Sequence, residues 1–265
     1  SWGYKYLNFL SKIGIGSCGK MRHMNLTRWL LVASFILTNG LYWIPNALAA
    51  QDREILNGSL EAIPSEKWGD PLGVLRGQID NQVIYDAFVA AGQKIIDTPV
   101  GLDVATIQRT LRGSTSSSLV CPATACGDGP LPYEQVAKSS LLFGTLYDCG
   151  KCDEMHGNIA GGVIISDDGL CLTNHHVLER RDQDTRVIFA MDYAGRGYAI
   201  QEVLASNRAA DVALVRLLGE GPFHPAPIAS QSPLPNVPAY VLSHPSSEFF
   251  VLTQGIVSRH VTLTQ

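Results

Sequence analysis

The sequence predicts a mainly β protein: one complete small barrel, a second β unit only begun, and a small helical region ahead of both. Three observations carry this. From residue 141 onward, short β-branched and aromatic runs recur between Gly, Pro and Asp turn signals, and about six of them suffice to close one barrel. Residues 158–177 (NIAGGVIISDDGLCLTNHHV) read as a β-hairpin with a histidine pair just past its end. Helical periodicity, by contrast, is confined to residues 80–111.

The chain opens with a basic, acid-free head. Lys5, Lys12, Lys20, Arg22 and Arg28 lie before position 50, and all 24 acidic residues lie after it. Residues 24–28 form a positive n-region, 29–37 (WLLVASFIL) an apolar core and Ala47-Leu48-Ala49 a cleavage site, so 24–49 is expected to be a signal peptide. Residues 1–23 are then an upstream extension or a mis-assigned start. Export to the periplasm or the exterior follows, with an inner-membrane anchor over 29–50 as the alternative. The acidic remainder argues against nucleic acid as a partner. The membrane is expected to matter only through the signal or anchor segment.

Residues 50–130 are expected to be a helical N-terminal region and linker. Residues 51–73 are polar and read as exposed. Residues 80–97 give the clearest helix, capped by Asp80, with Val83, Ile84, Phe88, Val89, Ile95 and Ile96 at helical spacing and Pro99 and Gly101 closing it. Asp103 caps a shorter helix over 103–111. The run Gly113 to Ser118 is linker-like. These helices suggest a prodomain or packing arm rather than a catalytic unit.

Strands are expected at 141–147, in the hairpin (161–166 and 170–173, turning at Asp167-Asp168-Gly169), and at 187–192, 199–205 and 212–217. A Pro-rich crossover at 225–238 leads to further strands at 239–242 and within 249–259.

The hairpin ends in Thr173-Asn174-His175-His176-Val177, and Asp211 heads the strand DVALVRL. With VLSHPSSEFFVLTQGIVSR after them, these motifs resemble the trypsin-like serine peptidases of the HtrA/DegP type over residues 131–265. The resemblance implies a chymotrypsin-like double β-barrel whose peptidase domain occupies 131–265, with polypeptides as substrates. It implies that His176, fourth in T-N-x-H-V, is the general base and that Asp211 orients it. His175, in the variable slot, is the adjacent competitor. Bottom-up, a histidine suits proton transfer near neutral pH, and a carboxylate on its second nitrogen fixes the tautomer. Asp182, Asp184 and Asp192 read as solvated. His244 matches a structural His-Pro turn, and His224 and His260 have no catalytic motif around them.

The resemblance also implies a nucleophilic serine in a G-[DN]-S-G-G-type loop, which this chain lacks. That loop is expected after Thr253-Gln254-Gly255-Ile256-Val257-Ser258, beyond the end of the chain. The 265 residues alone are therefore expected to be inactive. The competing reading is a non-catalytic, protease-like binding or chaperone protein.

Five cysteines follow the signal segment. Cys121-x4-Cys126 and Cys149-x2-Cys152 are expected to form disulfides in an oxidising compartment, and no cofactor is expected. A structural zinc on the same four thiols, with His156 able to replace one, is the alternative. A thioredoxin-type redox pair lacks its βαβ setting, and a haem site lacks a histidine directly after Cys152. Cys171, inside a predicted strand, reads as a small core residue.

Overall fold

The computed structural model describes residues 69–112, 131–179, 184–229 and 232–260. The expected signal segment, the linker run and the Cys121/Cys126 pair lie outside them. Three helices come first: α1 (Asn81–Asp97), α2 (Val104–Arg112) and α3 (Tyr133–Ser139). Asp80 caps α1 by accepting from Gln82 N and Val83 N at 2.9 and 3.3 Å. Asp103 accepts from Thr106 N at 2.6 Å at the head of α2, as its place in the sequence predicts.

Six strands follow: β1 (Ser140–Asp148), β2 (Met155–Ile164), β3 (Leu170–Thr173), β4 (Thr185–Met191), β5 (Gly197–Asn207) and β6 (Val212–Leu217). A short helix, α4 (His175–Leu178), separates β3 from β4. The strands pair antiparallel in the order β1-β2-β3-β6-β5-β4, and the β1–β4 pairing closes the barrel. A two-stranded sheet, β7 (Pro238–Ser243) with β8 (Val251–Ile256), comes after it. The fold is mainly β and chymotrypsin-like, with its first barrel closed and a second only begun.

Alternation along the strands explains their near-continuous apolar sequence. Leu141, Phe143, Ile188, Ala190, Ala213, Val215 and Leu217 belong to one buried cluster, and Leu142, Leu146, Phe189 and Met191 to another. Side chains one residue apart on a strand face opposite ways, so both faces of β1 and β4 are buried. The helices cover what the barrel leaves bare. Phe88 of α1 stacks on Phe189, with ring centroids 4.4 Å apart. Gly92 permits this approach, because a Cβ there would stand 2.5 Å from Leu146 Cδ1. Ile107 and Leu111 of α2 join the first cluster, and Gln108 Nε2 donates to the Leu178 carbonyl at 2.5 Å.

Three sequence expectations are corrected. β2 begins at Met155 rather than 161, because its polar start pairs with β1 from Asp148↔Met155 onward, and pairing outweighs weak propensity. The segment up to 73 is not wholly exposed: Asp70 is buried and accepts from Leu75 N and Arg76 Nε. Asp192 is also buried, and it organises the β4–β5 turn by accepting from Ala194 N, Arg196 N, Arg196 Nε and the Tyr198 hydroxyl.

Candidate active site

The site is assembled where two strand ends meet. β3 and β6 are neighbours in the barrel, with Thr173 opposite Ala213. Just beyond this pairing the chain departs: Asn174, one residue on, leads into α4, and Asp211, two residues before Ala213, precedes β6. Thr173 anchors its end by donating from Oγ1 to the Gly161 carbonyl at 2.9 Å. The hairpin behind it is held by Gly169 at φ +84°, and by Leu170 N donating to Ser166 Oγ. Arg216 of β6 ties the same turn from the side, through Asp168.

On the other strand, Asn207 Oδ1 accepts from Ala210 N at 2.9 Å, and Asp211 N donates to the Arg208 carbonyl at 3.1 Å. This tight turn delivers Asp211 at φ +52°, a left-handed conformation that aspartate tolerates better than most residues. The geometry turns its carboxylate toward α4. Asp211 Oδ2 lies 2.7 Å from His176 Nδ1, while Oδ1 accepts the His176 backbone N–H at 2.9 Å. Asn174 Nδ2 donates to the Asp211 carbonyl at 3.0 Å. Two hydrogen bonds to one residue fix both the position and the ring plane of His176.

Nδ1 thus acts as donor to the carboxylate, which leaves Nε2 as the free lone pair. Nε2 has no hydrogen-bond partner among the described residues. The imidazole is partly exposed at 26% and Asp211 less so at 18%, so the ring can meet a solute while its partner is shielded.

His175 has a different environment. It is buried, its Nε2 lies 3.3 Å from Glu179 Oε1, and Glu179 in turn pairs with Arg208 Nε at 3.3 Å. Consecutive residues of a helix point about 100° apart, so only one of the pair can face Asp211. Asn174 carried no assigned role in the sequence; its place inside T-N-x-H-V was the available signal.

His244 is partly covered, its Nδ1 accepts from Phe250 N at 3.0 Å, and desolvation pushes its pKa down to about 3. It does not contact the dyad. His224 packs near Tyr193, and His260 Nε2 lies 2.7 Å from the Pro233 carbonyl. Cys171 is fully buried, and burial raises its thiol pKa, consistent with a packing residue. Cys149 and Cys152 are both free thiols, in the β1–β2 connection.

A closed antiparallel barrel followed by the opening hairpin of a second is the architecture of the chymotrypsin-like peptidases. Residues 160–264 match the family model of the trypsin-like peptidase domain. The match takes in β3, β6 and both members of the His176–Asp211 pair, and leaves out β1 and the Cys149-Cys152 connection. A search of curated proteins gave no match. Among the described residues, no helix is long and apolar enough to cross a membrane.

Proposed function

We propose that the chain is the N-terminal part of an exported serine endopeptidase of the HtrA/DegP type. It hydrolyses peptide bonds with His176 as general base and Asp211 as its orienting acid. The observation that carries this is the 2.7 Å contact from His176 Nδ1 to Asp211 Oδ2, with Nε2 left available. A base so held accepts the hydroxyl proton of a nucleophile on Nε2, and the carboxylate stabilises the imidazolium that results. Nε2 then returns the proton to the leaving amine. The nucleophile is a serine supplied by sequence following Gln265, with the oxyanion hole formed by backbone N–H groups of the same loop.

The test is to express the chain extended through its downstream codons and assay cleavage of casein. Activity should appear in the extended protein, and should fall by about 10⁴–10⁶-fold in His176→Ala. Asp211→Asn should cost on the order of 10⁴-fold, since it favours the wrong tautomer. The 265-residue chain alone should show no serine-protease turnover. An extended frame without a serine in a G-x-S-G-type loop would instead support the protease-like binding protein, because the pair would have no nucleophile to serve.

A further inference from the structure

The β1–β2 connection takes no part in the dyad and lies outside the stretch that matches the peptidase family. It nevertheless gathers Cys149, Cys152 and His156 so that their ligand atoms all lie within 4.8 Å of one another. Cys149 Sγ and Cys152 Sγ are 3.3 Å apart, and Cys152 Sγ is 3.0 Å from His156 Nε2. A tetrahedral zinc, with Zn–S of about 2.3 Å and Zn–N of about 2.0–2.1 Å, spaces two thiolates roughly 3.8 Å apart and a thiolate and an imidazole roughly 3.5 Å apart. The two spacings that involve Cys152 therefore have to open by about half an ångström to admit the ion, and Cys149 Sγ already lies within 4.8 Å of the imidazole. Cys152 is exposed, and Cys149 and His156 are half-buried at the end of the hairpin, so small side-chain rotations can supply that.

The backbone shapes the connection. Asp148 Oδ1 accepts from Gly150 N at 2.7 Å, and Gly150 takes φ +66°, which folds the connection into a tight knuckle. His156 is supplied from the facing strand, where it pairs with Tyr147 in the β1–β2 register. Asp148, Asp153 and Glu154 against Lys151 leave the connection acidic, which favours a cation, although Arg186 lies 3.7 Å from Asp148.

We propose that Cys149, Cys152 and His156 bind a zinc ion, with water in the fourth position, and that the ion pins the end of the β1–β2 hairpin. The two sulfurs and the imidazole converge from both sides of the turn, an arrangement in which a disulfide would leave His156 without a role. Zinc suits the donor set because it accepts mixed sulfur and nitrogen ligands without a fixed geometric demand.

The test uses the full 265-residue chain, purified under reducing, oxygen-free conditions and dialysed without chelator. Elemental analysis should find roughly one zinc per chain. Cobalt exchanged for zinc should show tetrahedral ligand-field bands together with thiolate charge transfer. Cys152→Ser and His156→Gln should each weaken zinc binding by more than the roughly 10–100-fold that loss of a supporting partner costs. Should those variants fail to fold, the unmodified chain still decides. Chelation should lower its melting temperature, and added zinc should restore it. Absence of retained zinc together with no thiolate band on cobalt addition would overturn the proposal. So would a Cys149–Cys152 disulfide in protein isolated separately without reductant, or zinc that survives Cys149→Ser/Cys152→Ser but is lost in Cys121→Ser/Cys126→Ser.

Discussion

The six-stranded barrel and the β7–β8 sheet are built from similar sequence, yet they are buried very differently. β1 is covered on both faces along most of its length, whereas most of β8 is exposed, with Leu252 at 43% and Ile256 at 60%. The barrel closes on itself, so every strand has two neighbours and no free edge. The later sheet has two strands and two edges, and an isolated pair of this kind is marginal in water. What holds it is its base. Leu242, Phe249 and Phe250 sink into the cluster formed by α1, β1 and β4, and Phe249 N donates to Asn81 Oδ1 at 2.9 Å. Apolar sequence makes strands in both regions, but closure is what turns strands into a core.

The sharpest way to break this comparison is in the barrel. Phe189→Ala removes the ring that packs against Phe88, and should cost about 3–5 kcal/mol in denaturant unfolding. A loss under about 1 kcal/mol would mean that α1 and the barrel are not one cooperative core.

The pH dependence at the base of the β7–β8 sheet comes next. His244 is held neutral, with its pKa lowered to about 3 by desolvation, while an unfolded histidine titrates near 6.5. Between those values the unfolded chain binds a proton that the folded one refuses. Stability from this group is therefore complete above pH about 6.5 and declines as pH falls toward 3, by at most about 1.4 kcal/mol per pH unit. His244→Asn, which keeps an acceptor for Phe250 N, should flatten the curve between pH 6.5 and 4.5. An unchanged slope would place the sensitivity elsewhere.

Asn81→Ala should cost about 1 kcal/mol by stranding Phe249 N, with Asn81→Asp, which retains the acceptor, close to the native value. The smallest effect belongs to the open face: Ile256→Ser should change stability by no more than about 0.5 kcal/mol. A larger loss would show that β8 is covered in the folded protein.

Much of this molecule was legible in its residues. The caps Asp80 and Asp103 announce their helices because capping is local chemistry. The Asp167-Asp168-Gly169 turn and the bounds of β6 read directly from turn chemistry and an apolar run. The motif resemblance singled out His176 over His175 and paired it with Asp211. Asp192 and the start of β2 were misread for one reason: their burial and pairing depend on partners distant in sequence or space, and polar residues advertise neither.

The sequence by itself determined most of the helices and strands, because propensity, capping and alternation act over a few residues. It also supplied a histidine and an aspartate at the ends of two strands. Only the tertiary structure decided that those strands are neighbours. Antiparallel pairing sets β3 beside β6, the left-handed turn at Asp211 aims its carboxylate, and α4 presents one imidazole to it while directing the other inward. In the same way, the register of β1 with β2 brought His156 to the two thiols. Relations of this kind arise from long-range pairing, whose free energy depends on the whole barrel rather than on any local stretch.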